Sequence, residues 1–277
     1  MLGHDLVSLL RRDGARVTGL ARRDLDVTDA AAIEDAFARA RPDVVVNCAA
    51  WTAVDDAETH EAEALTVNGR GPASLAAACA SSGARLVQVS TDYVFDGTAR
   101  QPYPEDAVPA PQTAYGRTKL AGEEAVLGQL GDAGYVVRTA WLYGAAGPNF
   151  VRTMIRLERL RPGVAVVDDQ YGQPTWTADV ASQIVALIQS AAAPGVYHAT
   201  SSGQTTWCGL AREVFRLVGA DPARVGPITS EMLDRPTPRP GYSVLGHERW
   251  AKAGLAPIGD WKVSLSRAFP VLTAAER

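Results

Sequence analysis

The sequence predicts an α/β fold: a doubly wound parallel sheet of Rossmann type with a smaller C-terminal substrate-binding part. Three observations predict it. Short β-rich runs alternate with longer helical patterns through the first two thirds of the chain. One run is continuously apolar at Val44, Val45 and Val46, as expected of a strand covered on both faces. Small and polar residues follow such runs directly, where open α/β sheets bind ligands.

The elements follow in order. Leu2, Leu6, Leu9 and Leu10 share one helical face, with Arg11, Arg12 and Asp13 behind them. Strands are expected over 15–20, 43–49, 85–90 and 135–140. A helix follows Thr28, its expected N-cap, with Ile33 and Phe37 facing inward. A second helix ends at Gly83 as its C′ residue, and a third covers 113–131. Further on, the helix over 149–163 is stopped by Arg161-Pro162-Gly163. A strand at 164–169 and a turn-rich loop at 170–177 come next. Val180, Ile184, Leu187 and Ile188 then mark the inner face of another helix. A strand at 195–200, a helix at 205–219 and an extended stretch around Pro236, Pro238 and Pro240 complete the pattern. Residues 1–145 are expected to bind a dinucleotide. Residues 146–277 are expected to bind mainly substrate, with 164–190 packing back on the sheet.

Composition narrows the function classes. The 277 residues are 47% hydrophobic and 21% charged, with a net charge of −4. That excludes a disordered chain and a global basic field for nucleic acid or an anionic membrane. No apolar run reaches the length of a membrane span, and the N-terminus has no secretory pattern. Cys48, Cys79 and Cys208 are scattered without metal or disulfide spacing, which fits a reducing, cytoplasmic compartment. His4, His60, His198 and His247 share no ligand spacing, so no metal is expected. Glu123-Glu124 and the Arg156, Arg159 and Arg161 group read as solvated faces.

The chemistry-bearing pattern begins with Tyr115 and Lys119. Four residues apart on a helix, they share a face. An ammonium near a phenol is expected to draw its pKa from about 10 toward neutrality, making a proton-exchanging pair. Ser90-Thr91 follows a buried strand and offers hydroxyls to a substrate oxygen. Residues 47–52 end another strand with small groups that let a flat ligand approach. Asp26 can accept from an adenine amino group. After the second strand, where an NAD-binding fold would place an acid, Arg22 and Arg23 stand instead. A guanidinium pairs well with a 2′-phosphate, so NADPH is the expected cofactor, with NADH the alternative.

In order, STDYVFDG, AYGRTKLAGE, VRTAWLYG, DDQYGQPTWTADVA and RPGYSVL occupy the chain. Together they closely resemble the dTDP-4-dehydrorhamnose reductase family, within the extended short-chain dehydrogenase/reductases. The resemblance covers essentially the whole chain. It implies reduction of the C4 keto group of dTDP-4-dehydro-L-rhamnose, and a nucleotide-sugar partner for a monomer or homodimer. It makes Tyr115 the proton donor, Lys119 the holder of the nicotinamide ribose, and Thr91 a hydrogen-bond donor to the reacting oxygen. Met1, Leu2, Gly3, Asp26, Val27, Ala50, Trp51, Thr52 and Val89 fall at its cofactor contacts. Asp92, Trp141, Gln173, Arg239 and Ser243 fall at or near its sugar contacts. The alternatives are a reductase of another dTDP-4-keto-6-deoxysugar and a non-catalytic regulatory relative.

One departure stands out. The family opens with a strand and a Gly-rich phosphate turn, and Met1-Leu2-Gly3 matches only the tail of that motif. The expectation is that the first strand lies upstream of Met1; the alternative is a real truncation that impairs cofactor binding.

Overall fold

The computed structural model describes residues 1–233 and 235–275. Its main sheet joins β1 (Val44–Asn47), β2 (Arg85–Thr91), β3 (Gly134–Thr139) and β5 (Gly195–His198), all parallel and in that order. Helices cover both faces, which is the doubly wound arrangement. On one face, α1 (Leu2–Arg12) packs with α6 (Thr177–Gln189). Leu2, Leu6, Val180, Ile184 and Leu187 meet Val87, Tyr135 and Val137 there. On the other face lie α2 (Ala30–Ala40), α3 (Gly71–Ser82) and α4 (Ala114–Leu130). Ile33, Leu75, Cys79, Leu86 and Val126 form their shared core.

A second body packs beside the sheet. Strands β4 (Val164–Val167) and β6 (Val225–Ile228) pair in parallel. Around them lie α5 (Phe150–Leu160), α7 (Trp207–Leu217) and α8 (Trp261–Ala274). Ile155, Val166, Val214, Phe215 and Leu265 build its core. Of the segment 164–190, only α6 packs on the main sheet, while β4 joins this second body.

Three local expectations are corrected. Residues 15–20 form no strand and are largely exposed. An alternating pattern needs a neighbour to supply its ladder, and β1, at the sheet's edge, pairs only with β2. For the same reason Val44, Val45 and Val46 are half-buried rather than covered on both faces. The N-cap of α2 is Asp29, whose carboxylate accepts from the Ala32 N–H at 3.0 Å, and not Thr28. Thr28 instead donates to Asp26 and closes the turn before it. Among the described residues no helix is long and apolar enough to cross a membrane.

Candidate active site

The C-terminal ends of β1 and β2 face the first turns of α4. Thr113 caps α4 by accepting from the Gly116 N–H at 3.0 Å, and Glu58 accepts from the Ala114 N–H at 2.8 Å. These two bonds satisfy helix-start donors that have no intrahelical acceptor. They set the helix register that carries Tyr115 and Lys119. Gly116 lets the helix touch the loop after β2, because a Cβ there would overlap the Tyr93 carbonyl oxygen.

Thr91 ends β2, buried, and its hydroxyl donates to Asp92 Oδ1 at 3.1 Å. The Tyr115 ring meets Tyr93 edge-on, with centroids 5.5 Å apart. Burial pushes the Tyr115 hydroxyl up to about 12, the Thr91 hydroxyl pulls it down, and the Asp92 charge raises it further. The expected lowering of Tyr115 by Lys119 is therefore not found. The Lys119 ammonium points instead to the Val89 carbonyl oxygen, at 2.6 Å. Burial pushes Lys119 down to about 8, against the charges of Glu123 and Cys48.

The strand ends are wired together. Asn47 Nδ2 donates to Gln88 Oε1 at 2.8 Å, and Gln88 Nε2 donates to the Val89 carbonyl at 2.9 Å. Asn68 sits in a π-turn, Thr66–Arg70, a distortion common at functional sites. Its side chain accepts from the Trp51 N–H and donates to the Trp51 carbonyl and to Thr118 Oγ1. Thr118 in turn donates to the Tyr115 carbonyl. These bonds tie the loop after β1 to the first turns of α4. Asn68 was not singled out from sequence; an Asn-Gly pair inside a helical pattern is the signal that marks it.

Several buried polar atoms in this region lack a partner: Ser90 Oγ, Asp92 Oδ2 and Thr139 Oγ1 at strand ends, and Trp51 Nε1 beside Tyr115. Buried groups of this kind are normally satisfied. Ser90 and Thr139 lie near the C-terminal ends of β2 and β3, and Asp92 directly follows Thr91. The start of α1 lies against the end of β1, where a Cβ on Gly3 would sit 3.5 Å from Cys48. First-turn N–H groups of a helix suit a phosphate there, and Met1 and Leu2 flank the same turn. Val27 packs against Gly71. On the loop after β1 Ala50 is half-buried and Thr52 exposed, and Trp51 packs with Ala57, Ala64 and Ala114. Asp26 accepts from the Thr28 N–H and hydroxyl, which hold it below the usual carboxylate range. Arg22 is exposed close enough to lower Asp26 further.

The predicted sugar-side residues divide. Asp92 is 2% exposed, and burial pushes it up to about 6 despite the Ser243 and Thr91 hydroxyls and nearby backbone amides. Arg239 bridges to the loop after β1, donating to Asp55 Oδ2 at 2.8 Å and to the Thr237 carbonyl at 3.0 Å. Trp141 has a left-handed backbone (φ 46°) and stacks on Trp207, with centroids 3.6 Å apart and planes 7° off parallel. Gln173 turns inward: its amide donates to the Leu245 carbonyl and accepts from the Leu245 N–H and the Thr200 hydroxyl. It braces the 242–246 segment that carries Ser243.

One surface expectation is overturned. Glu123 is 2% exposed and takes a forked pair of bonds from Arg138, the shortest 2.6 Å. Only Glu124 faces solvent. A helical stripe at 115, 119 and 123 points inward, so the second of these carboxylates is the outer one. Arg156, Arg159 and Arg161 are exposed as expected. Among the described residues no cluster of His, Cys, Asp or Glu is arranged to hold a metal ion.

Comparison with known proteins bears on this geometry. The family model for the RmlD substrate binding domain matches residues 1–273. A dTDP-4-dehydrorhamnose reductase of Streptomyces griseus is 58% identical, over 98% of this chain and 91% of that protein. A dTDP-4-keto-6-deoxy-D-glucose reductase of Streptomyces niveus is 56% identical, over 100% of this chain and 96% of that protein. The crystal structure of a dTDP-4-dehydrorhamnose reductase from Bacillus anthracis str. Ames, in complex with NADP, superposes with a TM-score of 0.93. It is 35% identical, and the match covers 97% of this chain and 95% of that one.

Proposed function

The chain belongs to the family of the RmlD substrate binding domain, and on that premise we propose that it reduces the C4 keto group of dTDP-4-dehydro-L-rhamnose with NADPH, giving dTDP-L-rhamnose. The observation that carries this reading is the meeting of Thr91, Tyr115 and Lys119 at the end of β2.

When bound, the dihydronicotinamide supplies the hydride that C4 receives. Tyr115 offers its hydroxyl proton to the carbonyl oxygen, and Thr91 can do so when its single proton turns from Asp92 toward the substrate, favouring negative charge on that oxygen. Tyr115, high in pKa, stays protonated at neutral pH and so holds the proton the product needs. An alkoxide is a stronger base than a phenolate, so that proton passes to the sugar oxygen. Lys119 keeps its charge beside the Val89 carbonyl and has two further N–H groups to hold ribose hydroxyls. Arg22 takes the 2′-phosphate, and Asp26 and Val27 border the adenine. Residues 1–145 carry the cofactor and 146–277 mainly the sugar nucleotide, with Trp141, Arg239 and Ser243 beside it. We place the enzyme in the cytoplasm, as a monomer or homodimer.

A second reading is reduction of another dTDP-4-keto-6-deoxysugar. It is favoured by the relative from Streptomyces niveus, whose name gives a different sugar at nearly the same identity. A panel of dTDP-4-keto-6-deoxysugars, followed by NADPH oxidation, separates the two. Tyr115→Phe should lower kcat by about a hundredfold or more while NADPH binding persists. Full turnover by that variant, or no oxidation with any sugar of the panel, would sink the proposal. A preference for NADH in kcat/KM would remove the role of Arg22.

A further inference from the structure

Lys119 is 3% exposed, and its one acceptor among the described residues is the Val89 carbonyl. A neutral carbonyl does not balance an ammonium, and an isolated buried cation tends to lose its proton. The groups that face Lys119 are Glu123, one turn further along α4, and Cys48, at the end of β1. Tyr115 lies one turn back on the same face. Burial raises the Cys48 thiol to about 11, so Cys48 brings no charge at neutral pH.

Glu123 has a second neighbour. Arg138 of β3, itself 3% exposed, binds both carboxylate oxygens of Glu123 through Nε and Nη2. Arg138 also lies 5.0 Å from the Phe95 ring centroid. Its Nη1 is 3.5 Å from His198 Nε2, and burial holds that imidazole neutral. The buried array along α4 and β3 thus holds two cations and a single anion. An ion pair meant only to fasten α4 to β3 could face either way along the helix. This one puts its carboxylate on the buried face of α4, one turn beyond Lys119, with Arg138 bound to it from β3.

We propose that Glu123 is a positioning residue for Lys119: by cancelling the buried charge of Arg138, it keeps Lys119 an ammonium at the pH where the enzyme works. The proposal rests on the role given to Lys119 above. Without Glu123, two like charges share one dry region, and Lys119, the more easily deprotonated, gives way. Without Arg138, the carboxylate acts on Lys119 alone, and the ammonium is held more firmly. A purely structural ion pair predicts loss of stability in both variants and no change in Lys119.

The chain has three lysines, Lys119, Lys252 and Lys262, so their titrations can be read separately. The full-length protein is labelled with 13Cε-lysine, and the Lys119 resonance is assigned by its loss in Lys119→Met. Lys252 and Lys262 are exposed and serve as internal references. In Glu123→Gln the Lys119 midpoint should fall by about one unit; in Arg138→Met it should rise. If Glu123→Gln does not fold, the upward shift in Arg138→Met decides alone. An unchanged Lys119 midpoint in either folded variant overturns the proposal. NADPH binding, measured by fluorescence on the same samples, should weaken in Glu123→Gln above neutral pH. A shifted midpoint with unchanged binding keeps the link between Glu123 and Lys119 but overturns the cofactor role of Lys119.

Discussion

Gly116 lies directly against the Tyr93 carbonyl oxygen, and a Cβ at that position would overlap it. The contact joins the loop after β2, which starts at Asp92 directly after Thr91, to the first turn of α4, which carries Tyr115. Backbone cannot swing aside as a flexible side chain can. Gly116→Ala should therefore push α4 away from Thr91 rather than be absorbed. The expected loss is about 1–3 kcal/mol of stability, as for overpacking in a core. Because a small misplacement near the chemistry weighs heavily, kcat should fall about a hundredfold. Thermal melting and NADPH oxidation check the two effects, and wild-type kcat in the folded variant would show that the contact does not set the register.

With Asp92 proposed as a sugar contact, its titration links the pH profile to the sugar side of the site. Its carboxyl is pushed up to about 6 by burial, so it is ionised above that value and protonated below it. Among the described residues Oδ2 makes no hydrogen bond, although the Ser243 hydroxyl acts on the carboxyl, so a sugar hydroxyl would be its added donor. A carboxylate accepts more strongly than a carboxylic acid. The KM for the nucleotide sugar should therefore rise as pH falls through about 6, with the KM for NADPH little changed. In Asp92→Asn the sugar KM should be raised at all pH values, and this dependence should vanish. A sugar KM flat from pH 5 to 7.5 in the wild type would remove Asp92 from the substrate.

The Tyr115–Lys119 face was legible because a four-residue spacing on a helix needs no tertiary information. The same spacing extends to Glu123, yet a pair of adjacent glutamates reads as solvent-facing until Arg138 is brought in from β3, 15 residues on. Residues 15–20 alternate like a strand, but a ladder depends on a neighbour that periodicity cannot supply. Asn68 was hidden for another reason. A π-turn shifts the helix phase by one residue, so the side chains after it cannot be assigned to faces by a 3.6 period. Trp141 reads from the sequence only as a sugar contact, because its stacking on Trp207, 66 positions away, depends on the packing of the second body.

His198 makes stability fall in mild acid. It is fully buried, its Nδ1 faces the Gly246 carbonyl at 3.1 Å, and its Nε2 faces Arg138. Burial and the Arg138 charge hold it down to about 3, against an ordinary value of 6.5. The unfolded chain therefore binds a proton below pH 6.5 that the native state refuses, and stability is lost from there down toward 3. His247, held near 4 by burial, acts in the same direction. Asp92 acts oppositely: raised to about 6, it takes up a proton in the native state that the unfolded chain takes only near 3.8. Between pH 6 and 5, two histidines thus oppose one carboxyl. The net uptake by the unfolded state is about one proton, or roughly 1.4 kcal/mol per pH unit. His198→Asn keeps a donor toward Gly246 and cannot be protonated. It should cancel most of this slope, leaving His247 and Asp92 nearly balanced. Urea unfolding at pH 6 and pH 5 measures the difference; an equal loss in wild type and variant would show that His198 does not carry it.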